Sequence, residues 1–181
     1  MEISGGIGFI GVGVMGEPMC RNLALKGGDR VLAYDIDPAP LARLTADGVT
    51  AVDAPAELCA KAHTILLSLP DGDQVRRVCL GEQGLLAHTS AGQCVIDAGT
   101  SPPQLARELH EVFGAKDVAF ADAPVARTRQ AAIDGTLSIM VGADDGVFAR
   151  IRPILATMAS DITHCGRAGA GQTVKILNNM M

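Results

Sequence analysis

Positive charge is not in excess in this chain: 15 Lys and Arg stand against 20 Asp and Glu, a formal net charge of −5. That leaves no electrostatic footprint for nucleic acid or for an anionic membrane. No apolar stretch is as long as a membrane span, and the N-terminus has no basic segment followed by an apolar cleavage signal. A soluble, cytoplasmic protein is expected. The five cysteines, Cys20, Cys59, Cys79, Cys94 and Cys165, are odd in number, scattered and without a C-x-x-C pair. They fit reduced thiols and neither a disulfide scaffold nor a zinc site. His63, His88, His110 and His164 are equally isolated, so no metal is expected.

What is present is apolar and rich in glycine. With 181 residues, 48% of them hydrophobic, the chain can fill one core, or one domain and the beginning of another. The run from Gly6 to Ile10 passes straight into Gly11-Val12-Gly13-Val14-Met15-Gly16 and then into a helical pattern from Met15 to Lys26. This reads as strand, tight turn and helix. Gly11 lets the chain turn off the strand, Gly13 lets the backbone approach a pyrophosphate, and Gly16 lets helix and strand pack closely. Phosphates would then sit on the free N–H groups of the helix's first turn, with Val12, Val14 and Met15 alongside.

A second apolar run, Arg30 to Tyr34, ends in Asp35, about twenty residues past the glycine turn, as a dinucleotide-binding fingerprint requires. Asp35 would accept hydrogen bonds from the ribose hydroxyls and repel a 2′-phosphate, which favours NAD over NADP. Alternatively Asp35 opens a surface turn with Asp37-Pro38.

Helical and strand-like segments then alternate. Helices are expected over 40–47, 54–61, 71–80, 102–113 and 144–158, with Asp71 and Ser101 as N-caps. Strands are expected over 50–52, 63–70, 94–97, 118–121, 137–141 and 161–165. Short connections imply parallel βαβ units, so the fold class is α/β, a doubly wound Rossmann-type and largely parallel sheet. Ligands of such sheets lie beyond the strands' carboxyl ends. The Gly11 turn, Asp35, Leu69-Pro70, Gly99-Thr100, Asp122 to Val125 and the segment past Cys165 should therefore line one crevice.

That last segment reads as a glycine-rich turn feeding a helix. Gly171, Lys175, Asn178 and Asn179 are spaced by three and four residues and fall toward one side, which suits a small polar substrate. The pattern reaches Met181 without a stop signal.

These motifs together resemble the β-hydroxyacid dehydrogenase family. The match is carried by Phe9 to Gly16 with Pro18, Met19 and Asn22, by Asp97 to Pro103, by Asp122-Ala123-Pro124-Val125, and by Gly169-x-Gly171-x-x-x-Lys175-x-x-Asn178-Asn179. The resemblance implies a dinucleotide domain over residues 1–167, the start of an interdomain helix over 168–181, and a further helical domain that this sequence lacks. It also implies hydride exchange between a nicotinamide and a small β-hydroxy acid or its semialdehyde, and a possible homo-oligomer. Lys175 would be the acid/base. Asn178, Asn179, Asp122 and Val125 would lie at the substrate, and Leu69, Pro70, Val75 and Thr100 at the cofactor. The family usually continues Asp-Ala-Pro-Val with Ser-Gly-Gly, whereas this chain has Ala126-Arg127-Thr128. Arg127 or Thr128 would then take over an acid group of the substrate, since a guanidinium can grip one at two points; equally, Arg127 and Arg129 could solvate the next helix. A nucleotide-binding module without turnover is the alternative from another class.

Overall fold

The structure, a computed structural model, describes residues 5–180. In order, Gly6–Ile10 (β1) leads to Gly16–Lys26 (α1), Val31–Tyr34 (β2) to Pro38–Thr45 (α2), and Thr50–Ala51 (β3) to Pro55–Lys61 (α3). Ala62–Leu67 (β4) leads to Gly72–Leu80 (α4) and the single turn Leu85–His88 (α5), and Cys94–Asp97 (β5) to Pro103–Gly114 (α6). Then follow Ala119–Asp122 (β6), Val125–Ala126 (β7), Arg129–Asp134 (α7), Leu137–Gly142 (β8), Asp145–Leu155 (α8), Ala159–Gly166 (β9) and Ala170–Met180 (α9).

The first six strands are all parallel and lie in the order β3-β2-β1-β4-β5-β6. That is the order of a dinucleotide-binding fold, with its crevice where the order reverses beside β1. Every residue of β1 and β5 is buried, because helices cover both faces. Met19 and Leu23 of α1 and Ile151 and Leu155 of α8 pack on one face. Leu58, Val75, Leu105, Leu109 and Phe113 pack on the other.

The expected run of parallel units is interrupted after β6. β8 meets β6 antiparallel, through Asp122 and Gly142, β7 pairs antiparallel with β8, and β9 is parallel to β8. After Asp122 the chain turns back as β7 and a six-residue helix. Hydrophobic spacing marks burial and carries no strand direction, so the reversal has no sequence signal.

Several boundaries also shift. α2 starts at Pro38, two residues before the expected start, because Asp37 caps it by accepting from Ala39 N–H at 2.9 Å. Asp71 caps α4 as expected, through Gln74 N–H at 2.8 Å. Ser101 does not cap α6: Pro102 stands at the N-cap, and the Ser101 hydroxyl donates to buried Asp97 at 2.7 Å. α8 ends at Leu155, short of Met158. The expected reach of the last helix to Met181 lies outside the described residues.

Glu17, in the first turn of α1, ties that helix to α2. Its carboxylate accepts from Arg43 Nε at 2.9 Å and Nη2 at 2.7 Å, and from Arg21 Nη2 at 3.1 Å. The Arg43 hydrogen bonds, helped by Arg21, lower its pKa to about 2 against the opposing effect of burial. A folded-state pKa below the unfolded one adds stability above the ordinary glutamate range and loses it as pH falls through about 2. Glu17→Gln is expected to lower unfolding free energy by about 1 kcal/mol at pH 7. In denaturant titrations across pH, the variant and parent curves should converge as the pH approaches 2.

Candidate active site

A cleft of about 740 Å³ opens at the carboxyl ends of β1, β4 and β5. Gly11 forms its floor in the left-handed region, at φ +89°, and a Cβ there would run into the carbonyl oxygen of Ser68. At Gly16 a Cβ would strike the Gly11 carbonyl. These two glycines are required by the protein's own packing. Gly13 is different: its φ is not positive, and a Cβ added there would meet nothing within 4 Å. The bare backbone at Gly13 faces the cleft, as close approach by a diphosphate requires. No side chain caps α1; within its first turn Glu17 N–H donates to the Gly13 carbonyl at 2.9 Å and Pro18 has no N–H, so the amides open to a phosphate are those of the turn from Val14 to Gly16. The residues present therefore fit a dinucleotide.

Asp35 follows β2 at the cleft's lip. Its Oδ2 accepts from Val12 N–H at 2.6 Å and its Oδ1 from Asp37 N–H at 2.9 Å, so the carboxylate is held from both sides. Ser68, Leu69 and Pro70 follow β4, and Ala98, Gly99 and Thr100 follow β5; all six line the cleft. At the far end stand Val125, Arg127, Lys175 and Asn179. Lys175 is half-buried on α9.

Of the residues expected at the site, Gly11, Gly13, Val14, Met15, Gly16, Asp35, Leu69, Pro70, Thr100, Val125, Arg127, Lys175 and Asn179 line this cleft. The others lie elsewhere. Val12 is buried and reaches Asp35 only through its amide. Val75 faces the core, while Gln74 and Val78 of the same helix line the cleft instead. Asn178 is exposed and outside the cleft. Thr128 is the N-cap of α7, accepting from Ala131 N–H at 3.4 Å. Asp122 is fully buried and both its oxygens are taken by the start of α9: Oδ1 accepts from Gly169 N–H at 2.6 Å and Oδ2 from Gln172 N–H at 2.8 Å. Burial raises its pKa while those amides hold it down.

Arg127 adopts φ +86°, the left-handed region that suits glycine. Its Nη1 donates to the carbonyl of Thr136 and, at 3.0 Å, to Ser160 Oγ. Its remaining guanidinium nitrogens make no hydrogen bond among the described residues. Tyr34, Ile36, Ser68, Gln74, Val78 and Ala98 line the cleft without having been expected there. Ile36 alone carried a usable signal, an apolar residue between two aspartates, and the structure leaves it 90% exposed. Among the described residues no His, Cys, Asp and Glu cluster could hold a metal ion, and no helix is long and apolar enough to cross a membrane.

Strand order, glycine turn and cleft define a dinucleotide-binding Rossmann domain. Residues 6–166 match the family model described as the NAD binding domain of 6-phosphogluconate dehydrogenase, and the chain belongs to that family. It is 41% identical to 3-hydroxyisobutyrate dehydrogenase of Pseudomonas aeruginosa over 175 residues, covering 97% of this chain and 58% of that one. It is 40% identical to 2-(hydroxymethyl)glutarate dehydrogenase of Eubacterium barkeri over 181 residues, covering 100% of this chain and 60% of that one. The solved structure of Mycobacterium tuberculosis 3-hydroxyisobutyrate dehydrogenase with L-serine superposes with a TM-score of 0.90 at 37% identity, covering 97% of this chain and 59% of that one. The chain thus spans 58–60% of the length of these relatives.

Because no described residue occupies the space over Gly13, Gly13→Ala should leave the thermal midpoint within about 1 °C while weakening NADH binding about tenfold or more. Gly11→Ala should instead destabilise the fold, through the clash with Ser68 and the positive φ. Thermal melts paired with NADH fluorescence titration measure both.

Proposed function

We propose that this chain is the dinucleotide-binding part of an NAD-dependent dehydrogenase of small 3-hydroxy acids, with Lys175 as the acid/base. One observation carries the reading: a single cleft runs from the glycine turn and Asp35 at one end to Lys175 and Asn179 at the other. A nicotinamide dinucleotide bound there supplies the chemistry of hydride transfer at the carbon bearing the hydroxyl.

The rest falls to the chain's own side chains. Gly13 and the first turn of α1 receive the diphosphate, Asp35 the ribose, and Thr100 with Leu69-Pro70 the nicotinamide end. As the substrate's hydroxyl loses its hydrogen, charge develops on oxygen. In oxidation the neutral Lys175 amine takes up that proton as hydride leaves the carbon, and in reduction its ammonium returns the proton to the oxygen and stabilises the charge there. Asn179 hydrogen-bonds the substrate next to it. Arg127, with guanidinium nitrogens to spare at the cleft's end, receives an acid group of the substrate. A carboxylate at Asp35 disfavours the extra phosphate of NADP, which supports NAD as the preferred form.

In this reading residues up to Arg167 form the dinucleotide domain and α9 begins an interdomain helix. Its exposed Val174, Ile176, Leu177 and Met180 suit cover by further protein, whether another domain or a second subunit. All five cysteines are free and four are buried, which suits a reducing cytoplasm.

Lys175→Ala is expected to lower turnover of small 3-hydroxy acids with NAD by about 10²- to 10⁴-fold while NADH affinity changes less than about threefold. Steady-state kinetics with a panel of such acids measures it. Tight NADH binding without turnover of any of them by the parent would favour a nucleotide-binding module instead. Asp35→Ala should narrow the preference for NAD over NADP by about tenfold, read as the ratio of kcat/KM values, because a like-charge repulsion is removed.

A further inference from the structure

α9 carries Lys175 and Asn179 into the cleft, yet of its residues only Gly171 and Gln172, in the first turn, are buried. The position of Lys175 is therefore decided by what holds that turn. Gly171 lies hard against β8, where a Cβ would strike the Met140 carbonyl, so no side chain can pad the contact. The Asp122 carboxylate caps the turn through Gly169 and Gln172 N–H. The Gln172 side chain is fully buried and points the other way, toward the loop after β5. Its Oε1 accepts from Ser101 N–H at 3.0 Å, and its Nε2 donates to the Gly99 carbonyl at 2.9 Å. The far side of that loop is held by Asp97, which accepts from Ser101 Oγ at 2.7 Å and from Gly99 N–H at 2.9 Å. Asp97 and Asp122 occupy paired positions at the ends of neighbouring strands. The chain Asp97, Ser101 and Gly99, Gln172, Asp122 thus closes a buried hydrogen-bonded clamp across two strand ends.

We infer that Gln172, seated on Asp122, is a positioning residue that locks the helix carrying Lys175 to the Gly99-Thr100 loop, setting the acid/base against the nicotinamide end of the cleft. The inference rests on the dehydrogenase reading for its consequence in catalysis, although the clamp itself does not. An amide is suited to the task. It offers one acceptor and one donor side by side and takes no charge into a pocket that already holds two buried carboxylates. Gln172 and Lys175 are three residues apart, so a tilt of the first turn is passed directly to the lysine. Dinucleotide affinity depends mainly on the opposite end of the cleft and should be indifferent to the clamp.

The test uses Gln172→Met, which keeps the side chain's bulk and removes both of its hydrogen bonds, and Gln172→Glu, which keeps the acceptor for Ser101 and loses the donor to Gly99. Three things are measured: hydrogen exchange at the amides of residues 173–179, NADH affinity, and kinetics with a small 3-hydroxy acid. Gln172→Met is expected to speed exchange along this segment about tenfold and to lower kcat by about 10- to 100-fold, with NADH affinity within about threefold of the parent. In Gln172→Glu, kcat is expected to recover relative to the parent as pH falls, because a protonated carboxyl regains an O–H donor for Gly99. Asp122 directly, and Asp97 through Ser101, are the acids near the new carboxyl and favour that protonated form, while Arg107 beside Gly169 is a nearby cation opposing them. Unchanged exchange in Gln172→Met, an unchanged kcat, or a Gln172→Glu pH profile parallel to the parent's overturns the inference. If the parent turns over no such acid, the dehydrogenase reading fails instead, and the exchange measurement alone then decides whether Gln172 anchors the helix.

Discussion

The cleft exists because β1 has β2 on one side and β4 on the other, and the chain leaves those neighbours in opposite directions. At that point the backbones must come very close. The Gly11 turn lies against the Ser68 carbonyl at the end of β4, and Gly11 N–H donates to the Tyr34 carbonyl at the end of β2 at 3.1 Å. A side chain at Gly11 or Gly16 would wedge these ends apart, and the first turn of α1 would no longer face the groove. The rest of the dinucleotide half follows. Val12 N–H holds the Asp35 carboxylate, and Asp35 marks the rim.

The other half of the site is assembled by different means. β6 and β8 meet antiparallel at Asp122 and Gly142, and there is no room for a Cβ at Gly142 because the Asp122 carboxylate fills the space. Close packing at one pole and a buried polar clamp at the other therefore bring together groups from α1, β2, β4, β5 and α9. Burial raises the Asp97 pKa to about 6, against the opposing hydrogen bonds from Ser101 and Gly99. A raised folded-state pKa means that this acid favours the fold most below the ordinary aspartate range, an advantage lost as pH rises through about 6. This one buried carboxylate holds the loop after β5 at two points, Gly99 N–H and Ser101 Oγ.

Much of this was legible from residues alone. Continuous apolar runs marked β1, β4 and β5 because strands buried on both faces cannot alternate. The glycine turn with Asp35 pointed to the groove because its steric requirements are local. The spacing of Gly171, Lys175 and Asn179 placed the last helix. What stayed hidden depends on distant partners. Ser101 has the chemistry of an N-cap, and only the fold shows that Asp97 claims its hydroxyl. Asp122 reads as a ligand group because nothing in its neighbourhood in sequence says that the amides of α9 will cover it. Val75 and Val78 are equally apolar, and which one faces the cleft follows from the rotation of α4 against α6. The antiparallel β7–β8 pair leaves no periodic signal at all.

A crystal structure with bound NAD⁺ tests most directly whether one groove joins a diphosphate site at Gly13 to the ammonium of Lys175. The expected result has the diphosphate over Gly13, the ribose on Asp35, and the nicotinamide ring beside Thr100 with Lys175 Nζ facing the substrate's place next to ring carbon C4. A nicotinamide ring lodged away from α9, with the Lys175 side chain turned into bulk water, would contradict it.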